Sequence, residues 1–203
     1  MKDPADFRPA FVDYPEEFTK RRGNVTAATM EHIKKFVEEG GTIIAIGGAA
    51  PAAIATFKLP LANHLVRADG TAVPGTDYYV PGSVLRVAVD PANPLAHGYG
   101  SEADIFFDNS PVWKLDRSIG APGVNLRSVA WFASPTPLRS GWAWGQKYLD
   151  KGIQIAEASV GQGRVFVFGN DLLFRSQPHG NYKFFFNAMY LSVAPTMTAG
   201  AVK

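Results

Sequence analysis

The sequence predicts an α/β domain built on a mostly parallel sheet with helices on both faces. Three observations carry this. Thr42-Ile43-Ile44-Ala45-Ile46 is a short run of mostly β-branched, apolar residues, the pattern of a strand covered on both faces. It leads through Gly47-Gly48-Ala49-Ala50 into Pro51, so a strand, a tight glycine turn and a proline-opened helix follow one another. The segment before the strand has helical periodicity and ends at Gly40-Gly41, which makes the local order helix, strand, helix.

Residues 1–23 read as a polar lead-in arm with Pro4, Pro9 and Pro15. Asn24 or Thr26 can cap a helix that runs to about Glu39, with Met30, Ile33, Phe36 and Val37 at helical spacing. The helix after Pro51 is stopped by Pro60, and a loop or insertion marked by Gly70, Pro74-Gly75 and Pro81-Gly82 follows. Strands are expected at Ser83 to Val89, Ala103 to Phe107 and Ser128 to Ala133, with irregular chain over 108–126 and 134–141. Ile153 to Val160 and Arg164 to Phe168 flank Gly161-Gln162-Gly163 and read as a hairpin. Tyr182, Phe185, Phe186, Met189 and Tyr190 form the stripe of a last amphipathic helix capped by Asn181, and 195–203 reads as a flexible tail. No internal repeat or linker interrupts 1–203, so one domain is expected.

Composition narrows the function. Lys+Arg 20 against Asp+Glu 18 gives a net charge of +2, too balanced for a nucleic-acid partner. The absence of cysteine excludes disulfides and thiol catalysis. No apolar run reaches the roughly 18 residues of a membrane span, and the opening residues lack the apolar core of a signal peptide. If a longer parent is exported, its signal lies outside these residues, and the compartment stays open.

Four histidines are available. His32 sits among charges on the first helix, His64 lies in a loop without an evident partner, and His97 occupies a turn that suits a structural hydrogen bond. No HExxH or clustered His/Asp spacing occurs, so no metal site is expected within the chain. The densest polar stretch runs from Asn170 to Asn181, between a buried strand and a helix, where α/β proteins place ligands. Two readings stay open there. Asp171 and Arg175 can pair while His179 and Asn181 satisfy the helix start. Alternatively Asp171, Arg175, Gln177 and His179 form a ligand site in which Arg175 and His179 bind an anion. Trp131, Phe132, Trp142 and Trp144 suit core packing or docking on another domain, with sugar or peptide stacking as the alternative. Gly47-Gly48 lacks the lysine and spacing of a phosphate-binding loop.

The run Phe36-Val37-Glu38-Glu39-Gly40-Gly41-Thr42-Ile43-Ile44-Ala45-Ile46-Gly47 resembles the entry to the elbow strand of class I glutamine-amidotransferase-like domains. Several further segments resemble the amidotransferase-like domain found C-terminal to some bacterial zinc carboxypeptidases of the carboxypeptidase A type. They are Val80 to Val87, Asn93-Pro94-Leu95-Ala96-His97-Gly98, Ser140-Gly141-Trp142, Gly161 to Gly169 and Phe174 to Gly180, and the resemblance covers about residues 20 to 192. It implies a flavodoxin-like sheet carrying a β-rich insertion. It also implies that the elbow position of the catalytic cysteine falls near Gly47 and that the His and Glu turn falls at Phe168-Gly169-Asn170-Asp171, so the triad is absent and the elbow (Gly47, Gly48) is degenerate. Any zinc would belong to a separate peptidase domain.

The expected function is a non-catalytic accessory domain of a larger hydrolase, with a supporting, docking or ligand-binding role. The alternative is a small-molecule hydrolase using Asp171, Arg175 and His179. Domains of this kind begin with at least one βα unit before the helix at Asn24 to Glu39, and the 1–23 arm is too short to supply one. The expected partner is therefore an upstream domain of the same parent or a second copy, with the contact near Thr42–Ile46 or the arm.

Overall fold

The structure, a computed structural model, describes residues 25–193; the lead-in arm and the tail lie outside the described residues. Helix α1 (Ala27–Glu38) starts where expected because Thr26 and Thr29 form a reciprocal cap: Thr26 Oγ1 accepts from Thr29 N at 3.2 Å, and Thr26 N donates to Thr29 Oγ1 at 3.3 Å. It stops at Gly40, whose φ of 114° suits glycine, with Gly41 N donating to Phe36 O at 2.8 Å. Strand β1 (Thr42–Ile46) and helix α2 (Ala50–Phe57) follow, joined by the glycine turn, with Pro51 in the first turn of α2.

The remaining elements are β2 (Leu61–Asn63), β3 (Ser83–Val89), β4 (Glu102–Phe107), β5 (Trp113–Leu115), β6 (Asn125–Trp131), β7 (Leu138–Ser140), β8 (Ile153–Val160), β9 (Gly163–Phe168) and α3 (Tyr182–Val193). The main strand order is β1-β9-β8-β6-β3-β4, with β2 on β5, β5 on β8 and β7 on β3. The fold is α/β, with a nine-stranded mixed sheet.

The expected mostly parallel sheet is corrected on one point. Among the described residues only β1 and β9 pair in parallel, from Thr42↔Arg164 to Ile46↔Phe168; the other pairs are antiparallel. Parallel neighbours need a long crossover. The tight turn at Gly161-Gln162-Gly163 can only return the chain antiparallel, as the hairpin signal indicated. Three short strands also escaped the sequence reading: β2 in the 60–82 loop, β5 in the 108–126 stretch and β7 in the 134–141 loop.

Strand β9 alternates between two apolar layers. Val165 and Val167 share a cluster with Val37 of α1 and with Ala50, Ala53 and Phe57 of α2. Phe166 and Phe168 share the other cluster with Phe184 and Ala188 of α3 and with Leu85, Val87, Ile105 and Phe107 of β3 and β4. Helices therefore lie on both faces. β1 differs from expectation: only Ala45 is buried, and the other residues of the strand are half-buried. It lies at the end of the strand order, with β9 as its one neighbour among the described residues.

Helix α3 also turns a different face inward. Its buried residues are Phe184 and Ala188, supported by Phe185 and Leu191, while Phe186, Met189, Tyr190 and Val193 are exposed. The helix carries apolar residues on two sides, and periodicity alone picks out the wrong one. Asn181 is not the expected cap. Its Oδ1 accepts from Phe106 N at 3.0 Å and its Nδ2 donates to Asp104 O at 2.9 Å, so its amide pairs with the backbone of β4.

The end of α1 is fastened to the β8–β9 turn. Gln162 N donates to Glu38 O at 3.0 Å and Arg164 N to Gly41 O at 3.1 Å. A Cβ at Gly163 would collide with the carbonyl oxygens of Val37 and Gly41, whereas one at Gly48 would meet open space. Gly163→Ala is therefore expected to destabilise the fold by about 1–3 kcal/mol, and Gly48→Ala by less than about 0.5 kcal/mol. Urea unfolding followed by circular dichroism checks the contrast.

Candidate functional site

Because β1 and β9 are parallel, their C-terminal ends, Gly47-Gly48 and Gly169-Asn170-Asp171, fall at the same end of the sheet. The turn after β1 has the strand, glycine turn and helix order that the resemblance implies for an elbow, with Gly47 at φ 54°. It presents no side chain that could attack a substrate. Among the described residues, Cβ atoms at Gly47 and Gly48 would meet nothing within 4 Å.

The second half of the expected site starts beside this turn and leaves it. Buried Asn170 donates from its backbone N to the Gln154 side-chain oxygen at 2.7 Å, and Gln154 donates to Pro111 O at 3.3 Å. Asn170 Nδ2 reaches Asn181 Oδ1 at 3.4 Å. From there the chain is fixed to β4: Phe174 stacks on Phe106 with ring centroids 4.4 Å apart, and Asn181 pairs with the β4 backbone.

The expected pairing of Asp171 with Arg175 is not formed. Asp171 Oδ1 accepts from Leu173 N at 3.1 Å, a local turn bond. Arg175 is exposed, holds a left-handed backbone at φ 46°, and lays its guanidinium over the Phe174 ring, 5.1 Å from the centroid. The turn itself prevents the pair, because the left-handed backbone at Arg175 and Ser176 interrupts the helical spacing that would bring positions i and i+4 together. His179 bonds Ser176 O through Nε2 at 2.9 Å, and Gln177 is exposed. The four residues are thus engaged locally or directed to solvent, and the described contacts do not converge them on a common point.

An open cleft of about 720 Å³ lies elsewhere. Ile153, the first residue of β8, pairs with Trp131 of β6 and with Trp113 of β5. The register Ile155↔Phe168 places Ile153 beyond the last residue of β9, so the cleft opens at the C-terminal end of the parallel pair. His64, Lys114 and Lys151 line it together with Asp90 and Ser128, over apolar walls that include Val89 and Trp131.

His64 has the partner that the sequence did not reveal. Its Nε2 lies 3.0 Å from Asp150 O, and since a carbonyl only accepts, the proton sits on Nε2. Its ring lies against Gly152, where a Cβ would strike both the ring and Val112. Burial holds the imidazole below its ordinary 6.5, with the Lys114 charge acting in the same direction and the Asp150 carbonyl opposing. Nothing in the spacing of positions 64, 90, 114, 128 and 151 betrays the cleft. They come from five separate segments, and Asp150-Lys151-Gly152 reads only as a turn.

The aromatic residues divide. Phe132 is buried, Trp131 walls the cleft, and Trp142 and Trp144 are 53% and 55% exposed beside Tyr79. Trp142 is pinned from both sides by Ser83 Oγ, which accepts from its N at 3.0 Å and contacts its O at 2.8 Å. Among the described residues no three His, Cys, Asp or Glu side chains gather as a metal site would require, and no helix is long and apolar enough to cross a membrane.

Two outcomes follow. Arg175→Ala should change stability by less than about 0.5 kcal/mol, whereas Asn181→Ala strands part-buried backbone groups of β4 and should cost about 1–2 kcal/mol; thermal and urea melts of both variants distinguish them. For His64 the folded state resists protonation more than the unfolded state does, so below pH 6.5 the unfolded chain binds the extra proton. Its contribution is complete above that value and is lost as pH falls through it toward the lower folded value. Melting temperatures between pH 7.5 and 5 should fall more steeply for the native chain than for His64→Gln.

No protein-family model matches the chain, and no curated protein does. Solved structures similar to it include a cytoplasmic protein of Salmonella typhimurium, at 15% identity over 87% of this chain and 64% of that one, with a TM-score of 0.45. A second cytoplasmic protein, from Salmonella typhimurium LT2, matches at 14% identity over 87% and 64%, TM-score 0.46. A ThuA-like protein from Bacteroides uniformis matches at 12% identity over 81% and 63%, TM-score 0.45. The matched part of this chain spans just under two thirds of the length of each.

Proposed function

We propose that this chain is a non-catalytic, amidotransferase-like accessory domain of a larger bacterial hydrolase of the zinc carboxypeptidase kind, and that it docks on and supports the catalytic unit. The observation that carries the reading is the outer face of α3. Phe186, Met189, Tyr190 and Val193 stand at i, i+3, i+4 and i+7 and are exposed among the described residues, Tyr190 by 73% and Val193 by 83%. An apolar stripe at that spacing is the face a helix ordinarily turns to a neighbour.

A second feature bears on the same reading. The last turn of α3 is tied to β9 by Arg164 Nη1, which donates to Leu191 O at 3.2 Å, and β9 carries β1 at the end of the strand order. Among the described residues β1 has no partner on its outer side, and an unpaired strand edge beside an apolar helix face is favourable to cover. An upstream domain of the same polypeptide is the occupant we assign to both. The empty turn at Gly47-Gly48 supports the non-catalytic part, since amide transfer needs a nucleophile and a base in reach of it. The amidotransferase-like and carboxypeptidase parts rest on the sequence resemblance. Zinc would be held by the peptidase domain, and Asp171, Arg175, Gln177 and His179 would serve the outer surface of a turn.

An antibody raised against this chain tests the reading on the native protein. The expected result is a polypeptide well above the 21.9 kDa of this chain, with zinc-dependent carboxypeptidase activity in the immunoprecipitate. A native polypeptide of 21.9 kDa, monomeric by light scattering, would overturn it. The purified chain should release no ammonia from glutamine; release proportional to its concentration would overturn the non-catalytic assignment.

A further inference from the structure

We infer that the cleft at His64, Lys114 and Lys151 binds a carboxylate with an apolar body, either a small aromatic or aliphatic acid or the C-terminal residue of a peptide. All the groups invoked lie within this chain, so the inference stands independently of the accessory-domain reading.

The charge around the cleft is uneven. Lys114 and Lys151 are exposed, and among the described residues neither has a carboxylate within salt-bridge distance. The carboxylate that does line the cleft, Asp90, already accepts from Ala92 N at 3.0 Å through Oδ1. Two ammonium groups with no ion-pair partner among the described residues, over a concave surface, favour an anion, and the Ser128 hydroxyl adds a neutral donor.

The walls decide which anion. Val89, Pro91, Leu115, Trp131 and Ile153 make the surface mainly apolar, and an inorganic anion would leave them wet. Among the described residues no arginine lines the cleft to form the two-pronged contact that favours phosphate groups. A carboxylate attached to a hydrocarbon or aromatic group satisfies both halves: the lysines take the charge while the body packs on Trp131 and Ile153.

The framework is held in place before a ligand arrives. Lys151 sits in a left-handed turn at φ 64°, its N donating to Phe132 O at 2.8 Å, and Phe132 N donates to Gly152 O at 2.9 Å. Lys114 lies on β5, paired with Ala62 of β2. His64 closes the same corner through Asp150 O and through its backbone N, which donates to Val112 O at 2.9 Å. Both lysines thus extend from ordered backbone, which lowers the ordering cost of binding.

The test is a titration of the whole chain, followed by amide-resolved NMR, with N-acetylphenylalanine and with its neutral amide. The acid is expected to shift the resonances of Lys114, Lys151 and Trp131 and to bind roughly ten- to hundredfold more tightly than the amide. Lys114→Gln and Lys151→Gln should each weaken the acid several-fold while leaving the amide unchanged; spectra of the free variants establish that they are folded. A pentapeptide ending in phenylalanine identifies the source: binding at least tenfold tighter than N-acetylphenylalanine assigns a peptide terminus, and equal binding assigns a small acid. Equal affinity for acid and amide, or shifts confined to other parts of the chain, would overturn the inference.

Discussion

Burial of β9 on both faces demands two separate apolar layers, and most of the molecule serves to supply them. Val165 and Val167 require one layer, which α1 and α2 provide with Val37, Ala50, Ala53 and Phe57. Phe166 and Phe168 require the other, assembled from α3 and from the inward rows of β3 and β4. A fully buried aromatic or branched side chain contributes roughly 1.5–3 kcal/mol relative to exposure, and β9 carries four such side chains in succession. Its two neighbours then follow. A tight turn places β8 on one side, and the long excursion through the rest of the chain leaves β1 on the other, where a parallel pairing becomes available. The collision awaiting any Cβ at Gly163 shows how closely the end of α1 is drawn onto this strand.

What the sequence made legible were the features whose signal is local. Ser83–Val89 alternates inside and out without a break, as period-two patterning requires. The hairpin around Gly161-Gln162-Gly163 and the glycine stop of α1 are likewise encoded within a few residues. Sheet direction is not local. Thr42–Ile46 reads as central because it is apolar, but it ends the strand order and is only half-buried, since apolar content does not reveal how many neighbours a strand has. The last helix fails for a related reason. With Phe184, Phe185, Phe186, Met189, Tyr190 and Leu191 on one short helix, more than one stripe fits the helical period, and tertiary packing chose Phe184 and Ala188.

The candidate site shows the same division. The glycine turn is legible because strand, glycine and proline are contiguous, and the 170–181 stretch because its polar residues are close in sequence. Proximity in sequence did not become convergence in space: left-handed residues at Arg175 and Ser176 break the turn, and Asp171 and His179 bond to nearby backbone. The cleft went unnoticed for the converse reason. His64, Asp90, Lys114, Ser128 and Lys151 converge through the pairing of β5 and β6 with β8, which no spacing rule anticipates.

The two openings at the C-terminal end of the β1–β9 pair differ in chemistry more than in position. At Gly47-Gly48 the turn itself contributes backbone and no functional side chain, and among the described residues nothing lies within 4 Å of a Cβ added there. Around Ile153 the order is reversed: charged side chains are available, yet the imidazole there is committed to Asp150 O by its protonated nitrogen, and burial disfavours its charged form. A neutral imidazole fixed in this way orders the corner between β2 and β8 without adding charge of its own. The lysines are then the cationic side chains a ligand would meet. Lysine as a mobile point charge suits holding an anion better than orienting a reaction. The two openings thus divide their means: the backbone of a glycine turn at one, lysine charge over an apolar cleft at the other.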